Sequence, residues 1–315
     1  MEKQEYTMSD SNEISLEDAS AFYPAEWDEK TVREKWIEVL KSMMEEGVIL
    51  VPMKRILYQV EQTPEYRDAL QLWSRIDGQA RIIAWKNLLE CSMRAVKEIL
   101  PVCVQCGECC RKGSPTLMLD DLELLRQGKI GWDRIYTLRR GEPVRSPFKE
   151  KLFFLLDERI KVREKVGTQE CVFLDAGDDL CSVYSDRPLQ CRAQACWDPK
   201  HAEQLTEQPY LTRQDIFGGV ELLWDMIVEH ERRCAFEKLN AAFKQLEETR
   251  GESINEILEL LAYEEHFRQF LAQQMRIPEG MLELVLGRSF ADLAGLFGFR
   301  VEVSPDGTKC LVLDR

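Results

Sequence analysis

Apolar residues recur at helical spacing through the first hundred positions and again over the last hundred, and lose that rhythm between. Within 29–100, Trp36, Val39, Leu40 and Met43 fall at i, i+3, i+4 and i+7, one face of a helix. Pro64 suits the first turn of a second helix, with Tyr66, Leu70 and Trp73 inward. Asp77-Gly78 breaks it. A longer helix over 79–100 then turns Ile82, Ile83, Trp85, Leu88, Leu89, Val96 and Ile99 toward apolar surroundings and runs into Pro101. Beyond 199 the rhythm predicts helices over 216–246, 254–275 and 281–297. Two apolar runs, 299–303 and 310–313, flank Ser304-Pro305-Asp306-Gly307 and read as a closing β-hairpin.

The stretch between is mostly irregular. Thr116 to Leu119 reads as extended, and Asp120 with Glu123 as a capping box for a short helix ended by Gly128. Ile160, Val162 and Val166 suit one side of a strand, and the turn at 175–179 lets Cys171 and Cys181 flank a hairpin. The expected fold is mainly α with small β elements: a helical scaffold carrying an inserted, largely irregular cysteine-rich region. Its parts are an acidic, disordered tail (1–22), a helical segment (23–100), the cysteine region (101–200), a second helical segment (201–298) and the hairpin (299–315). The two helical segments are expected to pack as one unit, and the cysteine region to have little core of its own.

Charge and composition narrow the setting. Nine Asp or Glu and one Lys in the first 29 positions explain the disordered reading of the tail. The net charge of −14 argues against a nucleic-acid surface, which needs a basic footprint. No apolar run approaches the ~20 residues that cross a bilayer, and the start lacks the basic and apolar regions of a secretory signal. A cytoplasmic location is expected, with no membrane partner. Thiols stay reduced there, so 11 cysteines favour metal over disulfides.

The chemistry sits in Cys103-Val104-Gln105-Cys106-Gly107-Glu108-Cys109-Cys110, answered by Cys171, Cys181, Cys191 and Cys196. Thiolates at CxxC spacing converge on one metal because a tight turn brings i, i+3 and i+6 to the same side. All eight are candidate ligands. CxxCxxC with a remote fourth thiolate suits a [4Fe–4S] cluster, the favoured cofactor. Eight cysteines also divide into two four-thiolate zinc sites. The neighbours Cys109 and Cys110 are expected to diverge, one reaching a second metal. Cys91, inside a helix, reads as core. His201 could complete a site, and His230 with Cys234 form an i, i+4 pair, read as a solvent-facing histidine beside a core cysteine or as auxiliary ligands. Arg111, Lys112, Arg187 and Arg192 stand beside cysteines and could offset thiolate charge. No Gly-rich phosphate loop, GxSxG or HExxH motif is present, and the run differs from the CxxxCxxC of radical SAM enzymes.

The order CxxCxxCC, then Cys171-Val172-Phe173-Leu174, then Cys181 through Tyr184, Arg187-Pro188 and Cys191-Arg192, resembles the CxxCxxCC cysteine-cluster family. That family is also called the YkgJ-like putative zinc- or iron-chelating domain. The resemblance covers about 95 residues and implies chelation by Cys103, Cys106, Cys109, Cys110, Cys171, Cys181 and Cys191. The family often continues its CR dipeptide with Phe-Pro and a cysteine; here Ala193-Gln194-Ala195 precede Cys196, which puts that ligand in doubt. Three functions are compatible. An iron–sulfur protein of electron transfer or protein maturation, docking on a protein partner, comes first. A zinc-stapled interaction module comes second. A protein-modifying enzyme is third, because flagellin lysine-N-methylases carry a similar cluster.

Overall fold

A computed structural model describes residues 23–46, 51–145, 152–177, 180–198, 200–303 and 309–314. The acidic segment 1–22, the hairpin turn 304–307 and part of the 175–179 turn lie outside them. The chain divides into two compact units, 1–104 and 105–315.

In the first unit, α1 (Glu29–Glu46) buries Val32, Trp36, Leu40, Met43 and Met44, the expected stripe with Val39 at its margin. It is followed by α2 (Met53–Glu61) and α3 (Gly78–Lys97). Between these, Thr63 caps a helical turn opening at Pro64. Asp77 does more than end that helix: its carboxylate accepts from Ala80 N at 2.8 Å and so starts α3. Trp36 Nε1 donates to Ser92 Oγ at 2.9 Å, tying α1 to α3 inside the core. Ile82 and Ile83 are exposed, against expectation. The buried stripe of α3 runs through Trp85, Leu88, Leu89, Ser92 and Val96; Ile83 falls on the opposite side and Ile82 at the margin. Cys91 is buried, its Sγ 3.4 Å from Thr63 Oγ1, as a core cysteine should be. Arg55 and Gln59 of α2 bind the chain leaving α3, through Val102 O (2.6 Å) and Glu98 O (3.1 Å).

The second unit starts with the cysteine run on α4 (Glu108–Lys112), then α5 (Leu122–Arg126). Four short strands follow: β1 (Ile135–Leu138), β2 (Pro143–Arg145), β3 (Leu152–Phe154) and β4 (Arg159–Val162). β1 pairs antiparallel with β4 and β2 with β3, as two separate two-stranded sheets. The extended 115–119 segment lies beside β4, with Leu117 N donating to Ile160 O and Val162 N to Pro115 O. Val166, expected on the β4 face, lies past the strand's end and is fully exposed.

Three short helices, α6 (Leu189–Ala193), α7 (Lys200–Leu205) and α8 (Arg213–Phe217), lead to α9 (Glu221–Arg233) and α10 (Phe236–Glu248). The expected single helix over 216–246 is thus interrupted twice, at Gly218-Gly219 and at Cys234. The chain continues through α11 (Ile254–Gln274), α12 (Glu279–Leu286) and α13 (Phe290–Leu293). The helix expected over 281–297 is cut at Gly287, whose φ of +79° suits glycine. The closing hairpin is as expected: β5 (Phe299–Val303) pairs with β6 (Lys309–Leu313).

The cysteine region has more buried apolar surface than its composition suggested. Leu117, Leu125, Ile130, Ile135, Ile160, Val162 and Cys171 are buried in one core with Leu211, Ile227, Leu271 and Leu284 to Leu286. Its core is therefore borrowed from the helices that follow. A second core gathers Phe236, Leu239, Phe243, Ile257, Leu261 and Phe290, with Phe243 stacked on Phe297 at 4.2 Å. Among the described residues no helix is long and apolar enough to cross a membrane.

Several ionisable groups lie in this interior. Arg139 and Glu142 are fully buried and paired at 3.2 Å; Arg139 also donates to Cys234 O at 2.9 Å, at the break between α9 and α10. His230 is fully buried, not solvent-facing, and neither ring nitrogen has a hydrogen-bond partner. Its Nε2 lies 3.7 Å from Glu264 Oε1. Burial holds this imidazole below its ordinary value of 6.5, against the pull of Glu264 and with Arg139 assisting. The folded state then binds fewer protons than the unfolded chain. Stability from His230 is complete above pH ~6.5 and is lost as pH falls toward the depressed folded value. His230→Leu is expected to flatten the stability profile across that window, measured by urea unfolding between about pH 5 and 8. An unchanged slope in the variant would assign the pH dependence to another group.

Candidate metal centre

The cysteine run is shaped by a turn that needs an unusual backbone. Gln105 (φ +52°) and Gly107 (φ +76°) are both left-handed, and a Cβ on Gly107 would stand 2.9 Å from Arg111 Nη1. That guanidinium donates to Cys106 O at 3.3 Å and faces Glu108 and Glu170 at 3.5 and 3.9 Å, closing over the turn. The turn leads into α4, whose first residues include Cys109 and Cys110. Adjacent residues on a helix are expected to point apart, yet their Sγ atoms stand 4.0 Å from one another. Two thiolates on one tetrahedral ion at ~2.3 Å are about 3.8 Å apart. The pair converges almost to that separation, which corrects the expectation of divergence.

Backbone bonds bring the downstream cysteines to this pair. Cys171 N donates to Cys110 O at 2.8 Å, joining the second loop directly to α4. Leu174, not Cys171, is the bridge partner of Cys181 across the turn, while Cys171 bridges Glu164. Cys191 sits on α6, whose start is held by buried Asp121: one oxygen accepts from Leu189 N and the other from Met118 N, both at 2.9 Å. Gln190 also accepts from Thr116 N. Residues 102–211 match the family model of the CxxCxxCC domain, described as a putative zinc- or iron-chelating domain.

The chain carries a CxxCxxCC domain. It spans about a third of the chain, and metal binding in general is what this match supports. No curated protein and no solved structure matches the chain.

Electrostatics within the CxxCxxCC domain gather four of its thiols. The Cys109 thiol is pushed far up, first by its contact with Cys110 and then by desolvation. Burial raises Cys171, with Cys181 and Cys109 adding to the effect and Lys161 opposing it. Burial raises Cys191 well above the usual thiol value, reinforced by Cys171, Cys109 and Cys181 and opposed by Arg187. Each thiol feels the others as negative charge, so ionising them together requires a cation among them. A soft, thiophilic ion supplies that, and the donor set fits zinc or iron. Among the described residues no three His, Cys, Asp or Glu side chains are already gathered as a coordination shell.

The remaining candidates sit differently. Cys106 is half-buried in the turn, and Cys196 is exposed after α6. Cys103 is half-buried at the end of the first unit. His201 is exposed on α7, while His230 and Cys234 lie together in the interior beside Glu264. Sequence reasoning missed Lys161 and Asp121. Lys161 has its ammonium 2.5 Å from Ser114 Oγ, and burial lowers it to about 8. The i, i+2 pattern of Ile160 and Val162 was its only signal, because it marks Lys161 as facing the other side of β4. Asp121, rather than the expected Asp120, makes the cap before α5.

Asp121→Ala is expected to destabilise the protein by about 2–3 kcal/mol, since it strands two part-buried or buried backbone N–H groups. It should also weaken metal retention, because α6 loses its anchor. Chemical unfolding and competition with a chromophoric chelator measure the two effects. Asp121→Asn, which retains an acceptor oxygen, should fall between.

Proposed function

We propose that this is a metal-binding protein in which Cys109, Cys110, Cys171, Cys181 and Cys191 supply the thiolates of one zinc or iron centre, with Cys106 and Cys196 as further donors nearby. The observation that carries the reading is the Cys109–Cys110 pair at 4.0 Å, within electrostatic reach of three thiols from separate loops. A single tetrahedral ion suits that spacing best, and zinc is the ion that holds such a site without redox chemistry. Bound there, the ion would cross-link α4, the 171–181 loop and α6. Lys161 and Arg187 offset the negative charge of the thiolates. The role that follows is a metal-stapled module that presents its surface to a protein partner.

The spacing CxxCxxC supports a second reading, a [4Fe–4S] cluster serving electron transfer or protein maturation. Anaerobic purification with zinc, iron and sulfide analysis separates the two. About one zinc per chain without sulfide is expected. Iron with matching sulfide and a broad absorption near ~400 nm would transfer the assignment to the cluster. A protein that retains neither metal, and takes up neither on reconstitution, would end the proposal.

A further inference from the structure

The β2–β3 hairpin leaves its most apolar strand uncovered. Leu152, Phe153 and Phe154 are 66%, 41% and 64% exposed, and Leu156 just beyond is 82% exposed. Neighbouring side chains on a strand point to opposite faces, so both faces of β3 are apolar. Leu155 alone is buried, against Tyr136, Leu138 and Val144. Isolated apolar residues on a surface are ordinary, but four in one five-residue run mark a contact surface.

The two edges of this sheet differ. Leu155 directs its N–H to Glu142 O and its C=O to Gly141 N, both across the hairpin. By alternation Phe154 and Leu152 turn their N–H and C=O outward. Among the described residues β3 pairs with β2 alone. On the other edge Pro143, opposite Phe154, has no N–H to offer. Proline and charge are the usual guards of an open edge, and β3 contains neither. Charge singles out the same element. Between positions 140 and 151 the sequence carries Arg140, Arg145, Lys149 and Lys151 against Glu142 and Glu150, and Glu142 is buried against Arg139. This is a basic stretch in a chain of net charge −14.

We propose that the outer edge of β3 accepts an extended segment of a partner protein in which apolar residues alternate with acidic ones. Strand addition would satisfy the outward backbone groups of Leu152 and Phe154, while apolar side chains cover the exposed Phe and Leu faces. The acidic positions answer the flanking cations. A lipid surface would leave those backbone groups unsatisfied in hydrocarbon. A second copy would bring two basic flanks together. The inference rests on the hairpin and is independent of which metal the cysteines hold.

The test is a random-peptide display selection against the immobilised full chain, followed by fluorescence anisotropy with the enriched peptide. Enrichment of alternating apolar and acidic residues is expected, with affinity reduced at least tenfold in both Leu152→Lys and Phe154→Lys. Far-ultraviolet circular dichroism and metal content should match the parent protein in at least one of the two variants. Phe154→Pro, which removes an outward donor without adding charge, should also weaken binding. Selected peptides lacking acidic residues, or binding that survives these substitutions in folded protein, would overturn the proposal. So would a hairpin whose substitution abolishes self-association in light scattering, or binding to phosphatidylglycerol vesicles, with no effect on peptide binding.

Discussion

Cys191→Ser is expected to strip most of the metal from the purified protein, whereas Cys91→Ser and Cys310→Ser leave metal content at the parent level. Cys191 is held on α6 by the Asp121 anchor, and its thiol interacts with those of Cys109, Cys171 and Cys181. A serine hydroxyl is a harder donor and stays protonated near neutral pH, so one thiolate of the set is lost outright. Losing an outer partner of a metal ligand typically costs ~10–100-fold in affinity, and losing the ligand itself should exceed that. Cys91 lies in the first unit beside Thr63, and Cys310 on β6 of the closing hairpin. Elemental analysis of the three variants purified side by side decides the matter. Equal metal loss in all three would mean that the cysteines have been partitioned wrongly.

The largest effect on stability is expected at Glu142. Its two oxygens serve four donors: Arg139 N at 3.0 Å, Arg139 Nε at 3.2 Å, and Arg288 Nε and Nη2 at 3.0 and 2.6 Å. Glu142→Ala leaves the Arg139 guanidinium charged in a site with no access to water. Breaking such a pair from one side typically destabilises by ~3–5 kcal/mol. Urea unfolding monitored by tryptophan fluorescence should show a midpoint shift of that size. The double replacement Glu142→Leu with Arg139→Met should recover much of the loss, because it removes both charges together. By contrast Glu237, which meets Arg140 at 3.6 Å on the open surface, should be replaceable with little change.

What was legible in the sequence had local causes. The stripe of α1, the long α11 and the β5–β6 hairpin follow from periodicity and turn residues that lie within the elements themselves. The interruption at Cys234 has no such signal, since neither glycine nor proline is there. It is stabilised by Arg139, almost a hundred positions earlier, bonding to a carbonyl that a continuous helix would have used. The cysteine order identified the domain, but not the convergence of Cys109 and Cys110, which depends on their placement at the start of α4. Nor could it show Leu174 as the partner of Cys181, because a one-residue change of register in so short a bridge leaves no trace in composition.

The shared core has a consequence for where this domain ends. The family match stops at residue 211, yet Leu117, Ile160, Val162 and Cys171 are packed against Ile227, Leu271 and the 284–286 run. A fragment cut at 211 would keep every thiol and lose the apolar wall behind them. It should bind metal in a loosened, protease-sensitive form and tend to aggregate through the face it exposes. The boundary drawn by sequence similarity and the boundary of cooperative folding are thus different lines. Transplanting the cysteine motif to another host would require bringing the later helices with it.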